Sequence, residues 1–165
     1  MVESANNYVP ELDRRYRLAA TTFHAFILAV VALMAVAYFA GAALYRGGEG
    51  WFVGALRIAI LVFALGAIII RRTRFNAIRL QDIAALKGMS GLLATLQNTS
   101  IQIALMAIAI ALMGFIGTII SGSYSEMLRA GVIAVVLLAY GYPRKSSWQR
   151  VAQGITTFGD ANAAG

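Results

Sequence analysis

Ile101-Gln-Ile-Ala-Leu-Met-Ala-Ile-Ala-Ile-Ala-Leu-Met-Gly-Phe-Ile-Gly-Thr-Ile-Ile120 holds only two polar side chains, Gln102 and Thr118. A helix needs roughly 20 apolar residues to cross a hydrocarbon core of about 30 Å, so this stretch reads as a membrane span. Working outward from it, no Asp, Glu, Lys or Arg occurs over residues 88–125, and none over 18–45. Across its 165 residues the chain is 60% hydrophobic and 13% charged, with a mean hydropathy of +0.74. Soluble domains run at about 45–50% apolar and 25% charged, which excludes a soluble enzyme.

Four segments meet the length criterion, at about 20–45, 51–70, 99–121 and 124–142. The expected organisation is a cytoplasmic segment 1–19, a first hairpin 20–72, an amphipathic linker 73–98, a second hairpin 99–144, and an amphipathic helix with a disordered tail over 145–165. A signal peptide at the N-terminus is disfavoured, because its apolar region would be about 7–15 residues and the charge-free stretch 18–45 is far longer.

Orientation follows from the excess of Lys and Arg on the cytoplasmic side. Arg14, Arg15 and Arg17 precede the first span; Arg71, Arg72, Arg74, Arg79 and Lys87 follow the second; Arg144, Lys145 and Arg150 follow the fourth. Together they are 11 of the 14 basic residues. The opposite turns, 46–50 and 121–125, are short and glycine-rich, and hold only Arg46. Both termini are therefore placed in the cytoplasm, and the short, alanine-rich multi-pass design points to a bacterial plasma membrane.

An ungapped shift of 72 residues lays Ala32-Leu-Met-Ala-Val-Ala37 on Ala104-Leu-Met-Ala-Ile-Ala109, Arg57 on Arg129, Gly50 on Gly122 and Arg72 on Arg144. The coincidence of rare intramembrane arginines predicts two tandem hairpins. Each unit would enter and leave on the same side, making the repeat parallel, about an axis along the membrane normal. The expected fold is thus all-α, with four transmembrane helices as two parallel-repeat hairpins in a symmetric bundle, plus short amphipathic interfacial helices. The first of these would place Phe75, Ile78, Ile83, Leu86, Met89, Leu93 and Leu96 on one face, with a bend at Gly88 and Gly91. The second would use Trp148, Val151, Ile155 and Phe158. Such stripes rest in the headgroup layer or pack on another subunit.

The chemistry available is sparse. With no Cys and a single His, His24, disulfides, iron–sulfur clusters and cysteine zinc sites are excluded, as is haem held by two imidazoles of one chain. No cofactor is expected. His24 reads as an interfacial residue reaching water or a backbone carbonyl. The spans are read as free of Asp and Glu, which excludes proton pumps, cation antiporters and aspartyl intramembrane proteases. Gly47-Gly-Glu-Gly50 is a turn without the strand and helix of a phosphate-binding loop. The basic residues lack a folded domain to present them to nucleic acid.

Arg57 and Arg129 are the remaining candidates, and two readings apply. Each long side chain reaches outward to the headgroups, or the two converge on an outward-facing site that holds an anion, a lipid phosphate or a partner's carboxylate. Glu126, three residues before Arg129, is expected to pair with it first, leaving Arg57 with Glu49 as its nearest acid in sequence. Arg71, Arg72, Arg74, Arg144 and Lys145 are expected to contact anionic lipid at about 1 kcal/mol per charge. Small residues four apart, among them Ala37/Gly41 and Gly117/Ser121, with Gly114 on the same span, predict close helix packing. Exposed aromatic belts are expected from Tyr45, Trp51 and Phe52 on one side and Tyr140, Tyr142 and Trp148 on the other.

The functional expectation is a non-catalytic accessory or structural subunit of a larger membrane complex, in contact with lipids and with other integral subunits or copies of itself. The alternatives are a homo-oligomeric anion channel or carrier using Arg57 and Arg129, and a membrane-permeabilising effector.

Overall fold

A computed structural model describes residues 9–48, 50–74, 77–146 and 148–149. Among them stand four long helices and no strand: α1 (Val9–Leu44), α2 (Gly50–Arg74), α3 (Ala77–Ser121) and α4 (Tyr124–Gly141). Each contains a stretch long and apolar enough to cross a membrane, the architecture of a multi-pass membrane protein.

The ends of these helices follow from local chemistry. Pro10 and Glu11 lie in the first turn of α1, where a missing N–H costs nothing and a negative charge suits the dipole. Glu11 also accepts from Arg15 Nη2 at 2.8 Å, one turn along. Between α3 and α4 the chain reverses in two residues. Gly122 takes φ +69° and donates its N–H to the Thr118 carbonyl at 2.8 Å, closing α3 with the left-handed cap that glycine adopts without steric cost.

Within α3 the backbone breaks at Gly88 (φ 68°, ψ −176°), where a bend is expected from the sequence. Beyond it the helix is continuous to Ser121, and its apolar part, Ser90–Ser121, contains the whole of the segment 99–121. The polar run around Thr99 stays helical because its hydroxyls are satisfied locally: Thr95 donates to the Gly91 carbonyl at 2.9 Å and Thr99 to that of Thr95 at 2.8 Å. Likewise α1 begins ahead of residue 20 and takes in the arginines assigned to a separate segment. The apolar stripe expected to rest in the headgroup layer or on another subunit divides: Leu93 and Leu96 are buried, while Leu86 is exposed. The side chains of Phe75, Ile78, Ile83 and Met89 lie outside the described residues, as do Glu49, Val151, Ile155, Phe158 and the tail.

The packing is not that of a symmetric bundle. The α3–α4 pair forms the centre; α1 packs along both of its helices, and α2 packs on α3 and touches α4 lightly, while α1 and α2 hardly approach each other. The peripheral helices touch the centre along narrow seams. On α2 the buried hydrophobics are Val53, Ile60 and Ala67, and on the membrane part of α1 they are Phe23, Val30 and Ala37, one residue every seven. That is the repeat that keeps one line of a helix facing a partner. Phe26, Ile27, Leu33, Met34 and Ala64 flank these seams half-buried, while others, such as Leu28, Phe39, Ile58 and Val62, face outward, as suits lipid.

Glycine makes the central pair tight. A Cβ on Gly114 would collide with the Cβ of Ala130 across the α3–α4 contact. Thr118 reinforces the same contact. Its Oγ1 donates to the Gly114 carbonyl and accepts the Met127 N–H, both at 3.1 Å, so a side chain of α3 satisfies an amide in the first turn of α4 that has no partner in its own helix.

Candidate functional site

Arg57 lies two turns into α2, and Glu126 and Arg129 lie in the first turns of α4, at the end of the bundle where the two glycine turns reverse the chain. Glu126 points inward because α3 leaves room for it: Gly117 faces its Cβ, with an added methyl at 3.5 Å. The carboxylate accepts Arg57 Nε–H at 3.0 Å and Arg57 Nη2–H at 2.6 Å, a two-pronged pair across α2 and α4. Arg129 Nη1 stands 3.8 Å from the same Oε1. The Glu126 side chain is 8% exposed, against 55% for Arg57 and 66% for Arg129. A buried carboxylate thus holds two outward guanidiniums, and the cluster carries one net positive charge. Its place at the N-terminus of α4 favours the negative charge further. A cleft of about 190 Å³ opens beside it, with Ile60, Leu61, Ala130 and Ile133 as apolar walls.

Two expectations need correction here. Glu126 engages Arg57 more closely than Arg129, because the i+3 geometry on one helix leaves Arg129 beyond hydrogen-bonding distance while Arg57 approaches with its fork aligned. The spans are also not free of acid, since Glu126 lies inside the apolar helix Tyr124–Gly141. Arg57 and Arg129 do meet at one place, joined by Glu126, which the sequence reading pairs with Arg129 alone. A count of intramembrane charges, two cations and one acid, was the available signal.

At the other end of the bundle the basic residues have unequal fates. Lys145 Nζ pairs with Asp13 of α1 at 2.9 Å, a protein contact where a lipid contact is expected. The Arg71 guanidinium lies over the Tyr140 ring, 3.8 Å from its centroid. Arg72 and Arg144 are exposed, and the side chain of Arg74 lies outside the described residues. Trp148 is buried, edge-on to Tyr16 at 6.2 Å, so it belongs to the protein interior and not to an exposed belt. His24 Nδ1 lies 2.7 Å from the Ala20 carbonyl, and its ring meets Tyr142 edge-on at 5.7 Å.

Comparison of the chain with protein-family models, with curated proteins and with solved structures finds no match.

Proposed function

We propose that this chain is a non-catalytic accessory subunit of a larger membrane complex, whose α1 and α2 serve as docking helices for partner helices and lipid. The observation that carries this reading is the narrow seven-residue seam by which each of the two helices touches the α3–α4 centre. Most of the long apolar surface of α1 and α2 is left outward, while the charged groups at depth are spent on holding α2 to α4. Partners are other integral subunits or further copies of the chain. The excess of basic residues at one end supports an orientation with both termini cytoplasmic, and the reading takes the membrane to be a bacterial plasma membrane. The tandem-hairpin reading is supported by Arg57 and Arg129, which coincide under the 72-residue shift and share one carboxylate. The unequal packing of the two hairpins then reflects divergence after duplication.

Glu126 counts against the anion-channel alternative, since it sets a carboxylate between the two arginines that an anion would use. The test is extraction from native membranes in mild detergent, followed by native mass measurement and identification of co-purifying chains. A stoichiometric larger assembly is expected. A lone monodisperse monomer with an activity of its own would overturn the proposal.

A further inference from the structure

A second pocket lies at the opposite end of the bundle from the Arg57–Glu126–Arg129 cluster. It has a volume of about 420 Å³, and its lining includes Arg71, Ser100, Tyr140, Tyr142, Arg144 and Trp148. The geometry points to a seat for the phosphate headgroup of an anionic phospholipid, with Arg71 and Arg144 as the phosphate ligands.

Four observations converge on it. The lining includes two arginines from separate segments alongside Ser100, Tyr140 and Tyr142, and no acid is among these residues; planar guanidiniums match phosphate oxygens in pairs. Arg71 is positioned in advance, because its guanidinium lies over the Tyr140 ring at 3.8 Å, and a stacked cation loses less freedom on binding. The volume lies within the range of small-molecule sites, about 300–1,000 Å³, and leaves room for a phosphodiester with its glycerol. Finally, the pocket stands where lipid phosphates stand. Arg71 directly follows the apolar run of α2 and Tyr140 ends that of α4, while one turn toward the membrane interior Ile68 and Val136 are exposed and offer a wall to an acyl chain. Basic pockets between helices at the membrane surface bind anionic headgroups in this way.

The site does not depend on the accessory-subunit reading, and its test uses the whole chain in detergent. Phosphatidylglycerol, phosphatidylcholine and inorganic phosphate are each titrated while melting temperature and retained lipid, by native mass spectrometry, are followed. Phosphatidylglycerol is expected to be retained and to raise the melting temperature, with no comparable effect of the other two. Combining Arg71→Gln with Arg144→Gln should weaken retention at least about tenfold, as loss of charge-assisted hydrogen bonds implies. Tyr140→Phe should keep it and Tyr140→Leu should reduce it. Equal retention of phosphatidylcholine, or an equal rise with inorganic phosphate alone, would overturn the lipid assignment on the unaltered protein, whether or not the variants fold. Loss of retention in Arg129→Gln in place of the Arg71 and Arg144 pair would move the lipid to the other end of the bundle and remove this site.

Discussion

Glu126 and Arg57 are 69 residues apart in the chain, and their side chains meet at 2.6 Å, through two hydrogen bonds that tie α4 to the helix least engaged with it. The backbones of α2 and α4 touch only lightly, so this pair supplies much of the specific link between them. In a lipid environment such a link also sets rotation: turning α2 about its axis by one residue would aim Arg57 away from the carboxylate and Ile60 away from the core.

Glu126→Gln is therefore expected to lower the melting temperature in detergent, and by more than Arg129→Gln does. It removes the charge that both guanidiniums share and leaves two cations close together. The reversed pair, Arg57→Glu with Glu126→Arg, should recover part of the loss but not all, because the new Arg would face Arg129. A double-mutant cycle reads the coupling; purely additive effects would show that the pair does not tie the helices.

Thr118→Val is expected to cost about 1 kcal/mol, within the range of interhelical hydrogen bonds in membranes. The change keeps the side-chain shape and leaves the Met127 N–H without the acceptor it has at 3.1 Å. Thr118→Ser should be nearly neutral, since it keeps the oxygen. Equal loss in both variants, measured by equilibrium unfolding in mixed micelles, would assign the effect to the methyl group and not to the hydrogen bond.

The number of spans and their approximate places were legible in the sequence because water and lipid sort residues by a simple criterion, length of apolar run. Which face of each helix turns inward was not. The buried residues of α2 are Val53, Ile60 and Ala67 and the outward ones include Ile58, Leu61 and Val62; lipid tails are as apolar as leucine, so hydropathy does not separate the two faces. The glycines were more informative, since Gly114 and Gly117 on α3 mark the close approach of α4. The charged site was half legible. Arg57 and Arg129 stood out by their rarity, whereas Glu126 was assigned by its nearness to Arg129 in sequence, and only the packing of α2 beside α4 reveals its closer partner. Lys145 failed for a related reason: a basic residue after a span resembles a lipid contact until α1 brings Asp13 alongside.

Gly114→Ala and Gly54→Ala should differ in sign. Both gain helix propensity of about 0.8–1 kcal/mol relative to glycine. At Gly54 the added methyl meets open space, with nothing within 4 Å, so the variant should be as stable as the parent or more so. At Gly114 the methyl collides with the Cβ of Ala130, which forces α3 and α4 apart at an overpacking cost of about 1–3 kcal/mol. Unfolding midpoints in detergent check both; a stabilised Gly114→Ala would mean that the central pair is not closely packed there.

Tyr142, just beyond α4, makes the last prediction one of pH. Burial pushes its phenol above the ordinary tyrosine value, with the nearby Tyr16 adding to the rise. Its ring also packs edge-on against Phe23 at 5.9 Å and His24 at 5.7 Å, which ties the end of α4 to α1. With the folded value raised, the folded state holds its proton after the unfolded chain has begun to lose it, near pH 10. The stabilising contribution is therefore complete below about pH 10 and is lost as pH rises through the folded value. Melting temperatures across this alkaline range should fall less steeply in Tyr142→Phe than in the parent, with Tyr16→Phe intermediate because it removes only the secondary cause. An unchanged slope in Tyr142→Phe would show that the α1–α4 contact does not hold the phenol neutral, and the alkaline loss would then belong to other tyrosines.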